Sequence, residues 1–152
     1  MKRITPLLWF GDKAGEATKF YLGVFKDSKL MEVMRKENQL EAMVFRLYGQ
    51  ELVALNSSSA SKLTSTAAFH VTCKTQREID ILWAKLSEGG SKGECGWVTD
   101  KYGVAWLVVP RILGDLMRKS QDAKQKERVW DALMGMSKID IKALKQAANQ
   151  KN

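Results

Sequence analysis

A chain of 152 residues, 45% hydrophobic and 28% charged, is long enough to bury a core as one soluble domain, and no apolar run reaches the roughly 18 residues of a membrane span. Two cysteines and one histidine exclude a disulfide framework and a structural zinc site, which needs about four Cys or His ligands. The net charge of +8 favours anionic partners in general, from acidic metabolites to nucleic acid.

The basic start, Met1-Lys2-Arg3, is followed by no long apolar stretch or small-residue cleavage site, so a cytoplasmic location is expected. Ile4–Phe10 reads as a short buried strand closed by the turn signal Gly11-Asp12. Pro6 has no amide proton, which predicts that this strand lies at a sheet edge. From Ala14 to Phe25 the period becomes helical, with Ala17, Phe20, Tyr21 and Val24 on one face and Asp12 as the expected N-cap. Extended runs follow at 29–36, 41–48 and 51–56. The polar Glu37-Asn38-Gln39 and the Gly49-Gln50 pair between them predict hairpin turns. Residues 57–66 are rich in Ser, Thr and Ala and read as a linker.

The element order then repeats. Ala67–Cys73 is a predicted strand, and Glu78–Leu86 a helix with Ile79, Leu82, Trp83 and Leu86 on one face, ended by Gly89-Gly90. Strands are expected at 92–95, 97–100 and 104–109, with a tight turn at Tyr102-Gly103 and a stop at Pro110. A tandem βαβββ unit of about 55 residues per copy is the main architectural signal.

Beyond Pro110 three helices are predicted. Ile112, Leu113, Leu116 and Met117 mark the first, and Ala123–Met136 the second with Val129, Ala132, Leu133 and Met136 inward. The third starts at Asp140 as N-cap and runs to about Ala148. Residues 111–152 carry 10 Lys/Arg against 5 Asp/Glu, the denser basic segment, whereas residues 1–110 carry 15 against 12. Lysine solvating exposed helix faces accounts for this charge. Nucleic-acid stacking requires aromatic residues among the cations, and Trp130 alone is present, which counts against such a partner.

Several stretches together resemble the PhnB-like group of the vicinal-oxygen-chelate (glyoxalase/bleomycin-resistance/dioxygenase) superfamily, often labelled a 3-demethylubiquinone-9 3-methyltransferase domain. They are Ile4–Phe10, Glu16-Ala17 to Phe25, Ser28-Lys29, Gly49–Asn56, Cys73–Gln76 through Gly90, Cys95–Trp106 with Val109-Pro110, and Lys138–Ile141. The resemblance runs over about residues 4–148. It implies an α+β fold of two tandem βαβββ modules forming curved mixed sheets around a cup, plus C-terminal helices. The domain would span 4–110, with modules 4–56 and 67–110 and linker 57–66, and the helical extension 111–148. An S-adenosylmethionine methyltransferase, by contrast, has a doubly wound sheet with a Gly-rich first turn, whereas Gly11–Gly15 sits in a chain without alternating parallel β/α units.

In metal-dependent members four inward-facing side chains hold a divalent ion, and by position these fall near Thr5, Ala54, Ala68 and Leu107. Alanine and leucine have no donor atom, so a metal-free protein without a bound cofactor is expected. His70, two residues past Ala68, shares its strand face and is read as a structural imidazole, a substrate-contacting acid or base, or a ligand. The candidate cavity-lining set is Thr5, Leu7, Trp9, Ala54, Asn56, Ala68, His70, Trp97, Tyr102, Trp106 and Leu107, an aromatic, weakly polar surface for a small organic ligand. Three functions follow in order: a metal-free small-molecule-binding protein; an enzyme of the same superfamily using a non-metal acid/base such as His70, with the methyltransferase resting on the family label only; and a nucleic-acid-associated protein acting through its tail. The tail's apolar residues must pack on its own sheet or on a partner's, and a homodimer with the tail at or behind its interface is expected.

Overall fold

The computed structural model describes residues 2–58, 63–64 and 66–150. Of the expected linker 57–66, residues 59–62 and 65 lie outside the described residues. The fold is α+β, with two four-stranded mixed sheets, neither of them a closed barrel. The chain divides into two compact units, residues 1–63 and 64–152.

In the first unit, β1 (Leu7–Trp9), α1 (Ala14–Val24), β2 (Ser28–Lys36), β3 (Gln39–Leu47) and β4 (Gln50–Leu55) build a sheet in the order β1-β4-β3-β2. Strand β1 pairs parallel with β4 at the edge that Pro6 predicts; the Pro6 carbonyl accepts from Val53 N while its missing donor is not needed. Both hairpins turn through successive positive-φ residues, Glu37-Asn38 and Tyr48-Gly49, whose twist matches that of the flanking strands. Helix α1 buries Ala14, Ala17, Thr18, Tyr21 and Val24, and the ring of Tyr21 stacks on Phe45 of β3. Gly15 lies where a Cβ would come within 2.9 Å of the Leu40 side chain, so its absence lets helix and sheet approach. The expected N-cap, Asp12, does not cap the helix. Lys13 holds that position without a side-chain bond, and Asn56 at the end of β4 supplies the acceptor instead, Ala14 N to Asn56 Oδ1 at 2.8 Å.

In the second unit, β5 (Ala68–Cys73), α2 (Gln76–Ser87), β6 (Ser91–Lys92), β7 (Trp97–Thr99) and β8 (Ala105–Pro110) repeat the plan in the order β5-β8-β7-β6. The strand expected at 92–95 is displaced: β6 is two residues long, and Cys95-Gly96 turns instead with φ of 55° and 87°. Helix α2 is capped by Thr75, whose hydroxyl accepts from Glu78 N, and covers Val98, Trp106 and Val108 with Ile79, Leu82, Trp83 and Leu86, all buried.

Pro110 ends β8 and leads directly into α3 (Arg111–Arg118), followed by α4 (Ala123–Met134) and α5 (Ile141–Asn149). Asp140 caps α5 as expected, accepting from Ala143 N at 3.0 Å. Val129, Leu133, Ile139, Leu144 and Ala148 form one core with Val109 of β8, so the tail packs on the sheet of its own unit. Residues 136–141 are latched there. Gln76 donates to Ile139 O and accepts from Ile141 N, Lys138 pairs with Asp80 at 2.7 Å, and Cys95 N and Gly96 N donate to Met136 O and Ser137 O.

Candidate functional site

Each sheet has one face covered by its module helix, and strand register identifies the other. In the first unit Leu7 stands beside Val53 and Trp9 beside Leu55, while Val53 faces Val44 and Leu55 faces Ala42 across β3. Residues paired in register point to the same side. The helix-free face is therefore Leu7, Trp9, Val53, Leu55, Val44 and Ala42, with Leu7 51% and Trp9 41% exposed. Leu8 and Ala54 pair on the opposite side, and Ala54 is wholly buried. Two members of the expected set thus leave it. Ala54 lies on the side opposite Leu7 and Trp9. Asn56 is committed to structure, capping α1 with Oδ1 while Nδ2 donates to Leu40 O. Thr5 is set apart from the apolar centre, in a cavity of about 400 Å³ also lined by Arg3, Arg46, Gln50 and Glu51. Val53, Leu55 and Arg46 were not singled out by sequence reasoning.

In the second unit His70, Leu107 and Trp97 stand in one row across β5, β8 and β7, with Ala68, Ala105 and Thr99 in the next. His70 and Ala68 are exposed and Trp97 is 39% exposed. Leu107 is half-buried because the tail core, centred on Val109, packs against it and occupies that end of the face. Trp106 is on the other side. It is buried among the residues covered by α2, 5.1 Å from the Phe69 ring centroid, and its Nε1 donates to Asp100 Oδ2 at 2.8 Å. Tyr102 sits in the β7–β8 turn, where its backbone N donates to Asp100 Oδ1. Asp100, 3% exposed, also accepts from Val104 N, so one buried carboxylate organises the turn and anchors Trp106.

Cys73 and Asp80 are both committed to the structure around them. Burial first, and the Glu78 carboxylate second, push the Cys73 thiol up to about 11, which keeps it protonated and inert. Asp80 is held below its ordinary value by hydrogen bonds from Lys138 and then Gln76, the tail latch. Among the described residues no three of His, Cys, Asp and Glu gather as a metal site would require. The neighbours of His70 in its row, Leu107 and Trp97, offer no metal donor, so the residues present do not fit a divalent ion. No helix of the described residues is long and apolar enough to cross a membrane.

A family model described as 3-demethylubiquinone-9 3-methyltransferase matches residues 2–109. The tail, including Lys138–Ile141, lies beyond that match although the sequence resemblance extended to it. A PhnB protein from Bacillus cereus, a putative 3-demethylubiquinone-9 3-methyltransferase by its description, is 30% identical with a TM-score of 0.66, over 72% of this chain and 99% of that one. Protein PA1353 from Pseudomonas aeruginosa is similar at 19% identity and a TM-score of 0.62, over 72% and 98%. The fosfomycin resistance protein FosX from Listeria monocytogenes shares the fold at 13% identity and a TM-score of 0.61, over 79% and 99%. No curated protein matches the chain. With the paired βαβββ modules and a family match over most of its length, the chain belongs to the PhnB-like, 3-demethylubiquinone-9 3-methyltransferase family of the vicinal-oxygen-chelate superfamily.

Proposed function

We propose that this protein binds a flat, partly apolar small molecule on a helix-free sheet face, without a metal, and that it acts in the cytoplasm as a homodimer. One observation carries the reading: large aromatic and aliphatic side chains, Trp9 with Leu7 and Trp97 beside His70, stand half exposed where no module helix covers them. Apolar surface left open in register, with few polar groups, is what a small-molecule site needs. A FosX structure is described as complexed with Mn(II) and sulfate. Here the row holding His70 lacks the donors for such an ion.

The family description names methyl transfer, and among the described residues the glycine-rich turn after β1 is not built as a cofactor cradle. The Gly11–Gly15 turn leads from a three-residue edge strand, and Gly15 is spoken for by Leu40. A second reading is favoured by His70 alone. Its ring is exposed on the same row as Trp97 and has no hydrogen-bond partner among the described residues, which suits an acid or base acting on a bound substrate.

The test is a thermal-shift screen of flat aromatic compounds, followed by calorimetry on Trp97→Ala and His70→Ala. Trp9→Ala should weaken a hit on the first unit's face, and Trp97→Ala a hit on the second unit's face, by about 10-fold, the equivalent of one aromatic contact, and excess EDTA should leave binding unchanged. Hits indifferent to Trp97→Ala and to Trp9→Ala alike would refute the site. Turnover of a hit that is lost in His70→Ala would establish the second reading.

A further inference from the structure

The helix-free face of the first unit is not uniform along its strands. Its apolar part, Trp9-Leu55-Ala42 and Leu7-Val53-Val44, gives way at one end to a charged row in which Glu51 stands opposite Arg46 and Arg46 opposite Lys29. That end is the cavity of about 400 Å³ lined by Arg3, Thr5, Arg46, Gln50 and Glu51. With Arg3 of the cavity lining, three cations (Arg3, Arg46 and Lys29) stand against the two carboxylates Glu51 and Glu32.

The guanidinium of Arg46 is poorly used by the protein itself. It gives one hydrogen bond, Nη2 to Glu51 Oε2 at 3.4 Å, long for a charged pair, and its Nε is buried with no partner among the described residues. A guanidinium has five N–H donors in a planar fork that matches carboxylate or phosphate oxygens. Its side chain remains 38% exposed, so the unused terminal donors are within reach of a ligand.

Resting on the small-molecule reading above, we propose that the ligand is an amphipathic organic anion. Its carboxylate or phosphate lies in the Arg46 cavity with Arg3 and the Thr5 hydroxyl nearby, and its flat apolar body lies over Leu7, Val53 and Trp9. The anion competes with Glu51 for the guanidinium, so Glu51 limits affinity for anions.

Calorimetry with 2-naphthoate, 2-naphthyl phosphate and the neutral 2-naphthalenemethanol tests this on the full chain. The anions should bind at least about 10-fold more tightly than the alcohol, and the tighter of the two identifies the headgroup. Arg46→Gln should abolish the preference while leaving the alcohol's affinity unchanged, and Arg46→Lys should retain part of it. Glu51→Gln should tighten anion binding several-fold, which a merely structural Arg46–Glu51 pair would not do. Equal binding of anions and alcohol, or a preference that survives Arg46→Gln, overturns the anion assignment and leaves the small-molecule reading standing. Failure of all three compounds to bind overturns both.

Discussion

Trp106 and Leu107 are adjacent in sequence, yet one is buried under α2 and the other belongs to the open face. Alternation along a strand tells which residues share a side but not which side the helix covers. Where both sides are apolar, as in Glu51-Leu52-Val53-Ala54-Leu55, that ambiguity grouped Ala54 with Leu7 and Trp9, from which the strand pairing separates it. The role of Asp100 was illegible for another reason: its three acceptor contacts come from backbone and indole groups that carry no sequence signature. Those contacts give a prediction. In Asp100→Asn the amide keeps one oxygen for the backbone donors but turns an NH2 toward Trp106 Nε1, donor against donor. Losing a charge-assisted bond and leaving a buried N–H unpaired should cost about 2–4 kcal/mol, read as a lower urea midpoint with an unchanged m-value. The indole emission of a folded variant should also shift to the red. A loss below about 0.5 kcal/mol would mean that Asp100 does not anchor the turn.

The element that sequence periodicity described best, the helical tail, is also the one whose destination it left open. Its apolar stripes were legible; whether they meet their own sheet or a partner's depended on residues 136–141, which have no period at all. Gln76, the first residue of α2, reads as an ordinary surface position, but its amide bridges Ile139 O and Ile141 N across more than 60 residues of sequence. Removing both bonds in Gln76→Ala should destabilise the second unit by roughly 1–3 kcal/mol and speed amide exchange at Ile141 and in α5. The Lys138–Asp80 pair adds less, being half exposed. Its sign is fixed by the lowered Asp80 value: the contribution is complete above the ordinary carboxylate range and fades as pH falls through the folded-state value. Lys138→Ala should therefore narrow its stability gap to the parent on acidification. A gap that widened instead would show that the pair is not formed.

Because α4 and α5 bury Val129, Leu133, Ile139 and Leu144 within their own unit, most of the tail's apolar stripe is already satisfied, and Trp130 and Met134 are the large side chains it leaves exposed. A longer exposed apolar ribbon lies on β2. Strand β2 is the free edge of the first sheet, nine residues long, with Leu30, Met31, Val33 and Met34 each about two-fifths exposed and apolar groups on both of its sides. A ribbon of this kind in a lone chain invites association, and an isologous pair buries it twice at once. Irregular register between Leu30 and Glu32 and between Met34 and Arg35 interrupts the strand, which suits side-chain burial better than a continuous intermolecular ladder. We therefore place the proposed dimer on β2, with the tail bracing the unit to which it belongs. Sedimentation at about 50 μM should give twice the chain mass of 17.1 kDa, and Val33→Glu with Met31→Glu should return the monomer with its fold intact, since these side chains are exposed in the single chain. Truncation after Arg111 should instead lower the melting temperature by uncovering Val109 and Leu107. A parent that sediments as a monomer, or a dimer indifferent to both glutamates, would rule out β2 as the interface.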